Sequence, residues 1–161
     1  MPAAVYPALQ SAVLLCIDDN EDVLECEKSF LESFGYSVLT AASGGKGLEL
    51  ASKHSVDVVI LDYFMPEMNG QEVAIEMRRL KPLAPIILLT GAVDIPEQTL
   101  NLVDALIAKD RLASQLLPAI AQLQGCDRLL RLRVTHDSGG AVYEDRAACR
   151  PEPALQSPAN V

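Results

Sequence analysis

Apolar and polar residues alternate along this chain in two rhythms. Five short apolar blocks stand out: AVLLCI (12–17), YSVLTA (36–41), VDVVIL (56–61), IILL (86–89) and ALIA (105–108). Most are rich in β-branched residues and bounded by polar ones, which reads as buried strands. Between them, apolar residues recur every three or four positions, as on a helix with one buried stripe. Val23, Cys26, Phe30 and Phe34 form the first such stripe, with Glu21, Glu25, Lys28 and Glu32 outward and Gly35 closing the helix. Ser43 caps a second helix reaching about His54, with Leu48 and Ala51 inward. The third covers 69–80, with Val73, Met77 and Leu80 inward, and Pro82 and Pro85 end it. Residues 96–102 have room only for a short fourth helix. Leu112, Leu116, Ile120 and Leu123 mark a fifth, with Pro118 inside it.

Five strands alternating with helices predict an α/β domain, a parallel sheet with right-handed crossovers and helices on both faces. The rhythm stops after Gln124. The expected organisation is a loose leader over 1–11, a folded domain over 12–124, and a largely flexible extension over 125–161. Within the extension, LLRLRV (129–134) with Arg128, Arg131 and Arg133 reads first as a continuation of the last helix, with an extra strand or a binding segment as alternatives.

The chain is 50% hydrophobic but only 4% aromatic and has no Trp, so its core is aliphatic. No apolar run approaches the ~18 residues of a membrane span, and the first residues lack the basic start of a secretion signal. A cytoplasmic location is expected. Cys16, Cys26, Cys126 and Cys149 have no zinc-like spacing; Cys16 and Cys26 read as small core residues. The net charge of −9 falls wholly on residues 1–124, which hold eight basic and seventeen acidic residues. Such a surface repels phosphate backbones and argues against nucleic-acid binding. SGGKG (43–47) lacks the spacing of a phosphate-binding loop, so Lys46 reads as a solvated helix residue.

Chemistry gathers at the strand ends. Asp18 and Asp19 follow the first strand, Asp62 the third, Thr90 the fourth and Lys109 the fifth. A parallel sheet brings these ends to one edge. With strand order 2-1-3-4-5, the first and third strands adjoin at the crevice where such sheets bind ligands. Two carboxylates ~4 Å apart repel by ~4 kcal/mol at an effective dielectric of ~20. Lys109 and a hard divalent cation such as Mg²⁺ would offset this. A carboxylate in that setting can attack a phosphoryl group, with Lys109 and the Thr90 hydroxyl on its oxygens.

LLCIDDNEDVLE, ILDYFMPEMNG, LLTG and Lys109 after LVDALIA, in this order and spacing over roughly 11–124, resemble the receiver domain of two-component response regulators. The resemblance implies a flavodoxin-like, doubly wound five-stranded sheet of order 2-1-3-4-5. It implies Asp62 as phosphoacceptor, and Mg²⁺ held by Asp18, Asp19, Asp62 and the backbone carbonyl of Phe64. Thr90 would be the switch hydroxyl and Lys109 the phosphate-contacting lysine. Phe64 and Ala92 would flank the path of the hydrolytic water. The implied partners are a histidine kinase or histidine phosphotransfer protein and an unknown output protein, without nucleic acid or membrane. Beyond self-phosphorylation and self-dephosphorylation, no enzyme activity is expected, and the domain is expected to stand alone. The sequence departs from the family where Leu106 replaces an aromatic residue and Asp110 a proline. Thr90 and Lys109 are also only 19 positions apart, about one helical turn fewer than usual. A receiver-like scaffold that is never phosphorylated is the first alternative. An aspartate-nucleophile phosphatase is the second, though position 64 would then need an acid.

Overall fold

In the computed structural model, which describes residues 12–91 and 94–134 with side chains as far as Gly125, each apolar block is a strand. The strands are β1 (Val13–Ile17), β2 (Ser37–Ala41), β3 (Val58–Asp62), β4 (Ile86–Thr90) and β5 (Ala105–Ala108). They form one parallel sheet in the order β2-β1-β3-β4-β5. Alternate residues along the central strands face opposite layers. Leu14, Cys16, Ile60 and Leu89 pack against α1 (Glu21–Glu32) and α5 (Leu112–Val134). Leu15, Ile17, Leu61 and Leu88 pack against α2 (Gly44–Lys53) and α3 (Gly70–Leu80). Both faces are covered, which is why these strands lack polar alternation. Each fully buried Leu or Ile contributes about 1.5–3 kcal/mol.

Helix starts follow the expected chemistry. Asn20 accepts from the amides of Asp22 and Val23 to cap α1. Ser43 caps α2 through the Lys46 amide, and Asn69 and Glu72 form a reciprocal capping box on α3. Gly35 takes φ of 89° after α1, a conformation that favours glycine.

Two expectations need correction. The buried face of α1 is Leu24, Glu27 and Leu31, one residue on from the apolar stripe read in the sequence. Cys26 and Phe34 are exposed, while Val23 and Phe30 are half-buried. A glutamate in the buried stripe disguised it. Leu80, expected inward, is exposed at the end of α3, beyond the reach of the sheet. The fourth helix, α4, is a single turn, Glu97–Leu100, inside the span of 96–102 where only a short helix is expected. The last helix runs on through 129–134, the continuation expected there, and ends at Val134, with Pro118 on its exposed side. Residues 1–11 and 135–161, expected to be a loose leader and a flexible tail, lie outside the described residues.

Two aspartates staple the edge of the sheet opposite the candidate chemistry. Asp57, just before β3, accepts from the Val13 amide at 2.8 Å while its own amide donates to the Val13 carbonyl. Asp104, just before β5, does the same for Ile86 of β4 and also accepts from Arg78. Arg78 further donates to the carbonyls of Ala84 and Leu102. These contacts fix where neighbouring strands begin, and therefore where they end.

Candidate functional site

The site lies where β1, β3, β4 and β5 stop. Because β1 and β3 are neighbours in register, Asp18 and Asp62 emerge side by side. Asp62 is the last residue of a fully buried strand, and Asp18 follows one directly; both are nearly inaccessible. The Asn20 amide donates to Asp18 Oδ1 at 2.9 Å, which orients that carboxylate at the turn into α1. Asp19 is exposed and lines a small cavity of about 150 Å³ with Ser43, Met65 and Glu67. Oxygens of Asp18, Asp19 and Asp62 all lie within 4.8 Å of one another.

Lys109 joins the cluster from the end of β5. Its Nζ is 3.0 Å from Asp18 Oδ2 and 3.0 Å from Asp62 Oδ1. Burial works against the ammonium, but hydrogen bonds and charge from Asp62 and Asp18 outweigh it and raise the Lys109 pKa. Asp62 is also raised. Burial is the largest cause, opposed by the Lys109 hydrogen bond and reinforced by the charge of Asp18. That both partners of one ion pair are raised follows from Asp62 being much the more enclosed. One lysine does not fully compensate these carboxylates.

Thr90, at the end of β4, is buried and in register with Ala108, one residue before Lys109. The loop after β3 bends back sharply. The Gly70 amide donates to the Tyr63 carbonyl at 2.8 Å, and a Cβ at Gly70 would lie 2.8 Å from the Asp62 carbonyl oxygen. Only glycine allows this approach, so α3 begins directly against the residue after Asp62. Glu67, in the same loop, has φ of 66°. Phe64 is 62% exposed, and its ring meets that of Tyr63 edge-on at 4.9 Å. Ala92 lies outside the described residues. Leu106 is exposed on β5.

Asp18, Asp19, Asp62 and Lys109 are therefore one cluster, with Thr90 at the same sheet edge and Phe64 beyond it. Sequence reading passed over Glu27. It is 3% exposed on the inner face of α1, in the stripe of Leu24 and Leu31. The signal was available as a charged residue inside the Leu24–Leu31 stripe. As chemistry, the cluster offers an enclosed carboxylate nucleophile beside a fixed ammonium. Three hard oxygen ligands of the kind that divalent cations take lie next to it.

Comparison with known proteins agrees with this geometry. The family model described as "Response regulator receiver domain" matches residues 14–120. Transcriptional regulatory protein GlrR of Escherichia coli is 41% identical over 86 residues, 53% of this chain and 19% of that protein. Response regulator SaeR of Staphylococcus aureus is 39% identical over 78 residues, 48% of this chain and 34% of that one. The matches thus span about a fifth to a third of these curated relatives. A receiver domain protein from Clostridium thermocellum superposes with a TM-score of 0.69 at 33% identity, over 74% of this chain and 98% of its own. Response regulator TrrA of Thermotoga maritima, solved in complex with Mg(2+)-BeF, gives 0.66 at 32% identity, over 70% and 98%.

Proposed function

Because the chain belongs to the response regulator receiver domain family, we propose that Asp62 accepts a phosphoryl group from the phosphohistidine of a kinase or phosphotransfer protein. The observation that carries this reading is Lys109 Nζ lying 3.0 Å from carboxylate oxygens of both Asp62 and Asp18. Asp62 attacks phosphorus, the P–N bond breaks, and the imidazole nitrogen leaves with the bonding electron pair. An acyl phosphate forms on Asp62. No general base is needed, since the nucleophile is already an anion. Lys109 neutralises charge on the transferred oxygens and the Thr90 hydroxyl donates to one of them, so charge is stabilised by groups already in place.

The donor set fits Mg²⁺, with Asp18, Asp19, Asp62 and the Phe64 backbone carbonyl as ligands. When bound, the ion supplies positive charge that screens the carboxylates and the incoming phosphoryl oxygens. A phosphatase reading fails at position 64, where an acid would be required and an exposed phenylalanine stands.

Downstream, the domain passes its state to an output protein. The acidic surface disfavours nucleic acid as that partner for the receiver itself. Among the described residues no helix is long and apolar enough to cross a membrane, and a cytoplasmic setting suits exchange with a kinase. The test is incubation with acetyl phosphate, with Mg²⁺ or with EDTA, read by intact mass. A labile gain of ~80 Da only with Mg²⁺, as expected of an acyl phosphate, supports the proposal. No gain under either condition overturns it.

A further inference from the structure

Glu27 has no part in the phosphoryl chemistry, yet it is buried beneath that site. Leu14 and Cys16 of β1 face α1 and α5, and Asp18, just past the end of β1, continues the same alternation. The inner face of α1 lays Glu27 against this row. The Cys16 thiol is among the groups that interact with its carboxyl. Its Oε1 is enclosed and has no hydrogen-bond partner. An ionised carboxylate left this way is costly, whereas a carboxylic acid is tolerated.

The groups that face it set its charge. From β1 come Cys16 and the anionic Asp18, from β3 Asp62, and from the end of β5 the cationic Lys109. Leu24 and Leu31 flank it on α1, and α5 presents apolar Leu116 and Ile120 to the same core. Burial, then the charge of Asp18, push its carboxyl up to about 7, against smaller opposing effects of Cys16 and Lys109. Fully ionised, Asp18, Asp19 and Asp62 exceed Lys109 by two negative charges, which a divalent cation would cancel.

We propose that Glu27 holds a proton beneath the acidic pocket and gives it up when a divalent cation binds there, so that cation occupancy rises with pH through neutrality. This rests on the Mg²⁺ reading above. A cation nearby favours the carboxylate, and by linkage loss of the proton favours the cation. Well below neutrality the proton must be displaced against its preference; well above, it is already gone.

The test is calorimetric titration with MgCl₂ at pH 6, 7 and 8, in pairs of buffers with different ionisation enthalpies, on the wild type and Glu27→Gln. The wild type is expected to release a fraction of a proton per Mg²⁺ near pH 7. Its affinity should rise more steeply with pH than that of the variant, by up to about tenfold per pKa unit displaced. Asp62 remains in both proteins, so the difference between the two profiles belongs to Glu27. Equal proton counts and parallel profiles overturn this inference alone. Absence of Mg²⁺ binding in both removes the metal reading and this inference with it. If Glu27→Gln does not fold, ¹³C NMR of the wild-type glutamate carboxyls decides. A resonance titrating near neutrality that moves to its ionised position on adding Mg²⁺ is expected, and its absence overturns the proposal.

Discussion

At the scale of single residues, function conflicts with stability at Glu27. Its carboxyl is raised from 4.5 to about 7, so between those values the folded state keeps a proton that the unfolded chain has lost. Stability therefore falls as pH rises across this window, and the full cost is present above it. The shift corresponds to about 3 kcal/mol. Glu27→Leu should raise stability at pH 8 by on the order of 3 kcal/mol more than at pH 5, measured by urea denaturation. Equal gains at both values would show that burial does not hold the proton. Phe64 makes a second prediction. Its exposed ring cannot orient a water by hydrogen bonding, so Phe64→Asn should shorten the lifetime of the phosphorylated state, measured as decay of the mass adduct. Unchanged decay counts against that role. Asp18, Asp19, Asp62, Thr90 and Lys109 were legible because each directly follows or ends an apolar block. Glu27 was not, because apolar Val23, Cys26 and Phe30 offered a rival stripe at the same period, rotated by one residue.

At the scale of elements, the sheet is read easily from sequence because strands covered on both faces must be continuously apolar. The staples were harder to see. Asp57 is the one polar residue within the block VDVVIL, and it and Asp104 bind the first residues of β1 and β4. Replacing a half-buried carboxylate that satisfies a backbone amide costs about 1–3 kcal/mol. Asp104→Ala should lose that much and Arg78→Ala a similar amount. The double variant should lose less than the sum, since the two share one contact. Strict additivity in denaturation would show them to be independent. Helix ends were legible at Ser43 and Gly35. The extent of α4 was not, because 96–102 carries no apolar stripe strong enough to fix a length. Leu106 is exposed, a side chain with no polar edge to report movement at Thr90. Phosphorylation should then alter amide exchange most at Gly91 and over Glu97–Leu100. A response concentrated on β5 and α5, with that loop silent, would contradict this.

At the scale of the whole molecule, strand register forces carboxylates and Lys109 together at one edge of the sheet. Folding sustains that arrangement through the opposite edge, where the staples set strand starts, and through Gly70, which lets α3 close against Asp62. Everything in this account depends on Asp62 being the carboxylate that takes the phosphoryl group. The most direct test is to treat the wild type and Asp62→Asn with acetyl phosphate and Mg²⁺, then trap any acyl phosphate by borohydride reduction and map it by peptide mass spectrometry. The account predicts one modified residue, Asp62, converted to homoserine in the wild type, and no modified residue in the variant. Modification of Asp18 or Asp19, or an undiminished adduct in Asp62→Asn, would contradict it.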